Sequence, residues 1–387
     1  MAFNEITDLN NLYEAFRASM RGSSWKSEPQ RFEIDFLSEL VQLQHELTSR
    51  TYKTLPGTNF IIHERGKIRY IHGKRMRDRV VRHVLCDNVL DPSLRPYLIY
   101  NNGASQKGKG IAFTRKMFER DLHNYWLEYR TNEGYVGFAD LSKFYDNIQH
   151  PKIREYIYPK ITDASHWLMD EVLRDFRVDV SYMDDSEFTA CMETKFDSVE
   201  YAAAIPPEMK TGRRYMDKSV DIGDQASQNI GTLFPTRIDN RMKIVLSLPR
   251  YGRYMDDMYI IAHDKETVNA ALDAIIEEAG NIGLFINKRK THICKLSSRF
   301  KFLQIRYSLT DTGRVVKRIN PATVTRERRK LKAYRRLMDR GEMPYDRIEQ
   351  SYKSWMGDFT KIMSKQQIKN MSELYFDLFG RRPKWRK

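Results

Sequence analysis

Residues 251–261 read Tyr-Gly-Arg-Tyr-Met-Asp-Asp-Met-Tyr-Ile-Ile, with Asp256 and Asp257 adjacent at the centre. Tyr and Arg precede the pair and an apolar, β-favouring run follows it, so we predict a strand-turn-strand hairpin with both carboxylates at its tip. Two adjacent carboxylates repel each other, which raises a pKa unless a divalent cation bridges them. Hard oxygen ligands of this kind favour Mg²⁺ or Mn²⁺.

The same four letters occur a second time, because residues 182–185 also read Tyr-Met-Asp-Asp. This earlier copy lies in a stretch, 175–200, where eight Asp and Glu face only Arg177 and Lys195. Such a balance is typical of a solvated acidic insertion. The later copy precedes residues that can be buried and stands in the expected order relative to the other motifs described below, so we place the functional pair at Asp256 and Asp257.

The composition is that of a folded, basic protein. A chain of 387 residues can form two or three subdomains around one cleft. Its 66 Lys and Arg against 51 Asp and Glu give a formal charge of +15, which favours a polyanionic partner. No apolar stretch approaches the about 20 residues that span a bilayer, and no signal-peptide pattern opens the chain. We therefore expect no membrane partner and a cytoplasmic location.

The cysteines give no sign of a metal site. Cys86, Cys191 and Cys294 are far apart and form no Cys-x-x-Cys pair. This spacing predicts reduced core thiols and argues against structural zinc.

Apolar residues recur at helical spacing in four stretches, 9–16, 36–47, 77–90 and 267–280, which predicts amphipathic helices. The inward residues are predicted to be Val80, Val84 and Cys86 in the third stretch and Val268, Leu272, Ile275 and Ile276 in the fourth.

A basic hairpin is predicted near the start of the chain. The segment 52–63 turns through Pro56 and Gly57 into its first strand, a turn follows at 64–66, and the return strand is 67–71. Lys67 and Arg69 share one face of the second strand, because strand side chains alternate with period two. Arg grips phosphate bidentately and Lys supplies a point charge, so the pair suits a triphosphate. A solvated edge strand explains this stretch equally well.

Two glycine-containing segments open predicted helices. The polar loop 101–110 leads into a helix at 112–129, and its spacing is neither a P-loop nor a Rossmann fingerprint, so it suits the phosphates of a nucleic-acid strand. The turn 219–231 starts a helix whose first turns carry Ser227 and Gln228. We expect both side chains to face a cleft, although a simple helix N-terminus is the alternative.

Two charged residues stand at the ends of predicted strands. Asp140 ends an apolar strand that begins at Tyr135, where α/β sheets commonly place chemistry; a helix cap is the alternative use of this residue. A second strand, 283–291, ends in cations that include Lys290. A short hairpin at 299–304 follows.

The C-terminal part of the chain is strongly basic. Residues 314–340 contain eleven Lys and Arg against Glu327 and Asp339, mostly on a predicted helix. Interleaved aromatic residues accompany them, and such helices suit a nucleic-acid backbone. The aromatic residues are Tyr334, Tyr345, Tyr352 and Trp355.

The order of these features along the chain resembles that in the fingers, palm and thumb of a reverse transcriptase. The features are, in turn, the basic strand, Asp140, the glycine turn, Tyr-Met-Asp-Asp, Lys290, the short hairpin and the basic helical tail. The resemblance covers essentially the whole chain. It implies an α+β right-hand polymerase fold with N-terminal helices and fingers at 1–134. A ferredoxin-like palm follows at 135–310, with the acidic insertion at about 175–218, and a basic helical thumb at 311–387.

The resemblance also implies phosphoryl transfer from dNTPs by two Mg²⁺ or Mn²⁺ ions. Asp140 and Asp256 match bridging ligands, Asp257 is an adjunct, and Leu141 offers a backbone carbonyl. Lys290 matches a lysine that protonates pyrophosphate. Nucleotide-binding positions are matched by Lys67, Arg69, Tyr145, Ser227 and Gln228.

Three further details of the resemblance concern Tyr145, the segment 302–304 and the loop 101–110. Tyr145 matches the aromatic residue that clashes with a ribose 2′-hydroxyl, which implies a preference for deoxynucleotides. The segment 302–304 matches the primer grip, where the family usually has Gly in place of Gln304. The loop 101–110 is similar to a family segment that normally has Arg in place of Gln106.

The subtype is indicated by two features. Residues 223–228 resemble the signature of diversity-generating retroelement enzymes, whereas the long acidic insertion resembles the wider set of prokaryotic and phage reverse transcriptases, which includes retron, intron-encoded and antiphage defence enzymes. We expect an RNA template, in the form of a dedicated noncoding RNA, and a cDNA product. An accessory protein or a second copy of the chain is a further possible partner. The alternatives are a mutagenic retroelement enzyme, a template-independent or protein-primed DNA polymerase, and a noncatalytic RNA-binding scaffold.

Overall fold

The structure is a computed structural model that describes residues 2–64 and 67–385. It divides into two compact units, the first formed by Met1–Met117 and Gly137–Ile293, the second by Phe118–Val136 and Cys294–Lys387. The α-helices of the described residues are α1 (Ala2–Ile6), α2 (Leu9–Met20), α3 (Ser27–Ile34), α4 (Phe36–Thr48), α5 (Met76–Leu85), α6 (Asp91–Leu94), α7 (Ile111–Tyr129), α8 (His150–Tyr156), α9 (His166–Asp175), α10 (Asp185–Glu193), α11 (Ser198–Ala204), α12 (Gln225–Leu233), α13 (Thr236–Asn240), α14 (Lys265–Asn281), α15 (Pro321–Asp339), α16 (Tyr345–Phe359) and α17 (Lys365–Phe379). The strands are β1 (Thr58–Glu64), β2 (Lys67–Gly73), β3 (Tyr135–Ser142), β4 (Val178–Asp179), β5 (Tyr215–Met216), β6 (Tyr251–Tyr254), β7 (Asp257–Ala262), β8 (Phe285–Ile286), β9 (His292–Lys295), β10 (Phe300–Phe302), β11 (Ile305–Leu309) and β12 (Val315–Ile319).

The central sheet has the strand order β6-β7-β3-β8, and β9 also pairs with β3. Residues 136–141 of β3 are buried without interruption, as expected for a strand covered on both faces. The predicted hairpin is confirmed, because β6 and β7 are antiparallel and end on the pair Tyr254↔Asp257. Met255 and Asp256 form the two-residue turn between them. The sheet therefore carries Asp140 and the Asp256–Asp257 turn on neighbouring strands.

Helix α14 packs against this sheet. Gly137 of β3 makes the close approach possible, because a Cβ at this position would lie 2.5 Å from Val268 Cγ1. Val268, Leu272 and Ile275 are buried, as their helical spacing predicts. Ile276 was also expected to point inward, but 48% of it is exposed. It follows Ile275 by one residue, about 100° around the helix, and so leaves the buried stripe.

The N-terminal helices were predicted correctly from their apolar periodicity. In α2 and α4 the buried residues include Phe16 and Leu43, and in the α5 region Val80, Val84 and Cys86 are fully buried. The β1–β2 hairpin is also confirmed as an antiparallel pair. Its turn, residues 65 and 66, and the side chain of Lys67 lie outside the described residues.

The insertion at 175–218 forms a small folded element of its own. Strands β4 and β5 pair, and Val180, Phe196 and Met216 make a buried core beneath α10 and α11. Lys218 is fully buried, and its ammonium donates to carbonyl oxygens at the C-terminal end of α10, including that of Thr194 at 2.6 Å. A cation at a helix C-terminus is favourable.

Asp175 departs from the prediction of a solvated acidic stretch. Its carboxylate forms ion pairs with Lys74 and, at 2.8 Å, with Arg82, which in turn pairs with Asp224 at 3.1 Å. Charges that are this well buried need partners, so Asp175 belongs to an internal network.

The second unit combines the antiparallel sheet β10-β11-β12 with α15, α16 and α17. The helices share one apolar core in which Tyr352 is 1% exposed, and Tyr334, Tyr345 and Trp355 pack against it. Tyr352, predicted to accompany a nucleic-acid backbone, is thus a core residue, whereas the other three are partly buried and their role towards a nucleic acid stays a prediction. Among the helices that the structure describes, none is long and apolar enough to cross a membrane.

Candidate active site

The β6–β7 turn presents the two adjacent carboxylates in different ways. Asp256 lies in the turn, whereas Asp257 is the first residue of β7 and pairs with Tyr254. Met255 has a φ of 54°, in the left-handed region that costs a non-glycine residue about 1–2 kcal/mol. Strained backbone of this kind persists where its surroundings hold it in place.

Arg253 holds the turn from beneath. Its Nη1 donates to the carbonyl oxygen of Met255 at 3.0 Å, and its Nη2 donates to that of Thr232 at 2.8 Å. The guanidinium also grips Asp239 with Nε at 2.9 Å and Nη2 at 2.6 Å. Both members of this ion pair are fully buried. Arg253 therefore ties the turn to α12 and α13.

The electrostatics of this pair keep the guanidinium charged. Burial by itself lowers the pKa of Arg253, but the charge and hydrogen bonds of Asp239 raise it overall. Tyr251 donates to the same carboxylate at 2.7 Å. The sequence interpretation missed Arg253 and Asp239. The available signal was that Arg253 stands two residues after Tyr251 and so shares its buried face of the strand.

Three carboxylates meet where β3 and the β6–β7 turn lie side by side. Burial raises the pKa of Asp257 to about 7, and the charges of Asp256 and Asp140 add to the rise. Asp140 is itself close enough to share a hydrogen bond with Asp257. The structure thus brings together the acids that the sequence placed 116 and 117 residues apart.

Asp140 is held by two residues that follow β8. Lys290 Nζ forms an ion pair with Asp140 Oδ1, and Asn287 Nδ2 donates to Oδ2 at 3.0 Å. The backbone N–H of Asn287 also donates to the carbonyl oxygen of Asp140 at 2.8 Å. Lys290 lies in the turn after β8, which ends at Ile286 rather than reaching residue 291 as predicted. Asn287 was not singled out from the sequence, although it directly precedes the run of cations.

The donor set suits a hard divalent cation, because buried carboxylates that raise one another's pKa are stabilised by a bridging positive charge. Leu141, whose carbonyl was the predicted backbone ligand, is buried in the β3–β8 pair. Among the described residues, no group of three or more His, Cys, Asp or Glu side chains is already arranged to hold a metal ion. In the present arrangement Lys290 and Asn287 occupy the oxygens of Asp140.

Tyr145 lies against the same turn. Its hydroxyl is 3.8 Å from Met255 Sδ, and its ring packs on α12, where a Cβ at Gly231 would lie 3.3 Å from the ring. Burial raises the pKa of Tyr145, the Asp256 carboxylate adds to the rise, and Arg69 opposes it. Arg69 and Tyr145, two predicted nucleotide-binding residues, are therefore within electrostatic reach of each other and of the turn.

Ser227 and Gln228 were both predicted to face a cleft, but the structure places them in different environments. Ser227 is fully buried in α12, so the expectation that it faces a cleft is wrong. Helix α12 packs against α5 and against the helical segment Cys86–Leu90 that follows α5, and the helical phase directs Ala226, Ser227 and Ile230 inward. Gln228 is exposed and accepts a hydrogen bond from Ser105 Oγ at 3.4 Å.

The first Tyr-Met-Asp-Asp copy is a helix start. Asp184 is the N-cap of α10, where it forms a capping box with Glu187, and Asp185 is exposed and pairs with Arg214. Capping is a frequent use of Asp. The prediction that this copy lies on the surface is confirmed.

Comparison with known proteins agrees with this geometry. A family model described as reverse transcriptase (RNA-dependent DNA polymerase) matches residues 62–307, more than half of the chain. The chain belongs to the reverse transcriptase family. With the mixed helix and sheet architecture, this confirms the predicted α+β right-hand polymerase fold.

Solved structures that are similar include two fungal telomerases. Telomerase from Candida albicans, in complex with a TWJ fragment of telomeric RNA, is 11% identical, with a TM-score of 0.43 over 91% of this chain and 64% of that one. Apo telomerase from Candida tropicalis is 13% identical, with a TM-score of 0.41 over 84% of this chain and 63% of that one. The chain thus spans somewhat less than two thirds of these telomerase chains. No curated protein matches it in sequence.

Proposed function

We propose that this protein is an RNA-directed DNA polymerase that copies an RNA template into cDNA from dNTPs. One observation supports the proposal: Asp140 lies on β3, Asp256 and Asp257 lie where the neighbouring strand β7 of a reverse transcriptase domain begins, and the charges of Asp256 and Asp140 contribute to the raised pKa of Asp257. Buried acids with perturbed pKa values are typical of functional sites.

The carboxylates would hold two divalent cations, Mg²⁺ or Mn²⁺, with Asp140 and Asp256 as bridging ligands, Asp257 as an adjunct and the Leu141 carbonyl as a further oxygen. When bound, such ions activate the primer 3′-hydroxyl and neutralise the leaving pyrophosphate. Asp256, in the turn, is the more critical of the adjacent pair. Arg253 fixes the position of the turn through the Met255 carbonyl.

Lys290 would serve as the proton donor to pyrophosphate. Burial lowers its pKa, but its hydrogen bond and ion pair with Asp140 raise it overall, so the ammonium keeps its proton in the ground state. A general acid must be protonated before transfer and lie close to the reacting group. The Asp140 ion pair meets the first condition and holds Lys290 beside the carboxylates.

The nucleotide would lie between Arg69 and Tyr145, with Lys67 as a second phosphate contact from β2. Tyr145 would exclude a ribose 2′-hydroxyl. Gln228, which is exposed on α12, would contact substrate, whereas Ser227, which is buried, would support the helix.

We also propose the division into fingers (1–134), palm (135–310) and thumb (311–387). Helix α15 supports a thumb that binds a polyanion, because it exposes several cations: Arg326, Arg328, Arg329, Lys332 and Arg336. A dedicated noncoding RNA as template, an accessory protein or second copy, a prokaryotic or phage origin, and a role in antiviral defence or a retroelement stay predictions, as does a cytoplasmic location.

Primer extension tests the proposal, and the chain supplies its own control. Purified protein is incubated with a primed RNA, dNTPs and Mg²⁺, and the product is sequenced. Asp256→Asn/Asp257→Asn should abolish extension, whereas Asp184→Asn/Asp185→Asn, the same change in the helix-capping copy, should retain it.

Extension that survives in the first variant would overturn the assignment of the site. A homopolymeric product would identify a template-independent polymerase instead. Failure of the wild type to extend, combined with retained RNA binding, would favour a noncatalytic scaffold.

A further inference from the structure

The insertion at 175–218 is attached to the segment that carries Tyr145. Residues 143–150, which follow β3, contact the insertion at its middle and again where the chain leaves it. These contacts suggest what the insertion does.

The middle of the insertion is held by three side chains of this segment. Asn147 Nδ2 donates to the carbonyl oxygen of Phe196 at 3.1 Å, and the Phe196 N–H returns a hydrogen bond to Oδ1 at 2.8 Å. Asp146 accepts from Ser198 Oγ at 2.8 Å and from its N–H at 3.3 Å. Lys143 forms an ion pair with Asp197 at 2.6 Å.

Asp146 and Asn147 are both buried. Buried polar groups require partners, and the insertion supplies them. Burial raises the pKa of Asp146, and the hydrogen bonds from Ser198 oppose that rise. The segment therefore depends on the insertion to satisfy its polar side chains.

The exit of the insertion is held by backbone hydrogen bonds. The His150 N–H donates to Asp217 at 3.0 Å, and the Ser219 N–H donates to Ile148 at 3.0 Å. The Val220 N–H donates to the carbonyl oxygen of Tyr145 itself, also at 3.0 Å. Tyr145 is thus fixed through its own backbone as well as through its neighbours.

The other side of the insertion reaches the basic hairpin. Helix α11 packs against β2, which carries Arg69. The insertion consequently connects the two elements that carry the proposed phosphate contact and the proposed sugar contact.

We infer that the insertion is a positioning element that fixes Tyr145 relative to β2 and thereby sets the discrimination between deoxyribose and ribose. The inference rests on the proposed function and assigns a task to Ser198 and Phe196, which lie outside the proposed nucleotide site and contact Asp146 and Asn147. If the insertion only added stability, its loosening would affect dNTP and rNTP incorporation equally. If the insertion positions Tyr145, its loosening would change the ratio of dNTP to rNTP incorporation.

The test removes one hydroxyl outside the catalytic machinery. In Ser198→Ala, the ratio of kcat/KM for dNTP to that for rNTP should fall about threefold to tenfold, the range expected for the loss of one ordinary hydrogen bond. The kcat for dNTP should stay within about twofold of the wild type. Ser198→Thr keeps the hydroxyl and should restore the ratio.

Two further variants make the result specific. Asp184→Ala/Asp185→Ala changes the exposed start of α10, in the same insertion, and should leave the ratio unchanged. In a Tyr145→Ala background the sugar contact is already absent. Ser198→Ala should then have no additional effect on the ratio, because Ser198 acts on sugar discrimination only through Tyr145.

The outcomes separate this inference from the proposed function. If every protein extends primers and Ser198→Ala leaves the ratio unchanged, the inference is overturned while the polymerase function stands. An additive effect in the Tyr145→Ala background also overturns it. If the wild type incorporates no nucleotide on a primed template, the proposed function falls and the inference falls with it.

Discussion

Replacement of Arg253 by Met should destabilise the first unit and slow catalysis together. The change removes the guanidinium that binds Asp239 and the carbonyl oxygens of Thr232 and Met255. Met has a similar length and no charge, so the variant isolates the polar contacts from simple loss of volume. Asp239 then remains buried with Tyr251 as its neutral donor.

The magnitude follows from the burial of both charges. At about 4 Å and an effective dielectric of about 20, two unit charges attract by about 4 kcal/mol. Removal of one member of a buried, hydrogen-bonded pair typically costs about 3–5 kcal/mol, because the other charge is left uncompensated. We therefore expect Arg253→Met to lower the free energy of unfolding by about 3–5 kcal/mol at pH 7.

A second substitution separates the charge effect from the others. Arg253→Met/Asp239→Asn leaves no uncompensated carboxylate and should recover at least half of the lost stability. It cannot restore the hydrogen bond to the Met255 carbonyl. Primer extension should therefore remain slow in the double variant, since the strained turn that carries Asp256 loses its support.

Urea unfolding followed by circular dichroism gives the stability, and hydrogen exchange of the β6 and β7 amides reports the turn locally. Primer extension is compared at a temperature where each variant is folded. A loss below about 1 kcal/mol in Arg253→Met, within the range of an ordinary exposed pair, would refute the energetic argument. Full recovery of extension in the double variant would refute the support of the turn by Arg253.

Three further predictions concern sites away from the carboxylates. Asp184→Ala/Asp185→Ala should cost about 1 kcal/mol of local stability through loss of the α10 cap, measured by hydrogen exchange of α10, while faster exchange confined to other helices would contradict it. His150, whose ring lies 3.8 Å from the Asp217 carboxylate, and the Arg177 guanidinium, which donates to it at 2.5 Å, lower the pKa of Asp217 to about 2. A lowered carboxyl pKa contributes stability that is complete above the unfolded pKa of about 4 and is lost as the pH falls through about 2. Asp217→Asn should therefore cost about 1 kcal/mol at pH 7, after allowance for solvent screening, and progressively less below about pH 4 in acid titrations of stability. Gln304 has a φ of 72°, so Gln304→Gly should be neutral or stabilise by up to about 1 kcal/mol in urea unfolding, and a clear loss of stability would show that the side chain is needed.

The backbone conformation at Gln304 bears on the departure of this position from the family pattern, in which Gly is usual. In the β10–β11 turn, Leu303 and Gln304 both have positive φ values, 41° and 72°. A two-residue hairpin turn with this backbone favours Gly, which adopts positive φ without strain. The usual glycine of the primer grip therefore answers a backbone requirement, and this chain meets the same requirement with a non-glycine residue.

Local patterns in the sequence were enough to find most of the elements near the site. Alternation of side chains and turn residues predicted the hairpins around Asp256 and Arg69, and helical periodicity predicted α2, α4, α5 and α14. These signals are local because adjacent residues share a backbone conformation. The order of the motifs then selected Asp256 and Asp257 over the copy at α10.

Interactions between distant residues were decided only by the tertiary structure. Ser227 is buried by the helical phase of α12, and Tyr352 is buried in the core of the second unit. Asp175 forms ion pairs with Lys74 and Arg82. In each case a polar or aromatic residue has more than one stable environment. Packing, which no local pattern specifies, selects one of them.

The sequence by itself determined that this protein belongs to the reverse transcriptases, and it predicted Asp140, Asp256 and Asp257 as acids of the candidate active site, because the chemistry proposed for them requires particular side chains in a particular order. Only the tertiary structure showed how those residues are held: Arg253 by Asp239, Asp140 by Asn287 and Lys290, and the Tyr145 segment by the insertion. The physical reason is that positioning depends on buried hydrogen bonds between residues far apart in the chain, which become visible only when folding brings donor and acceptor together.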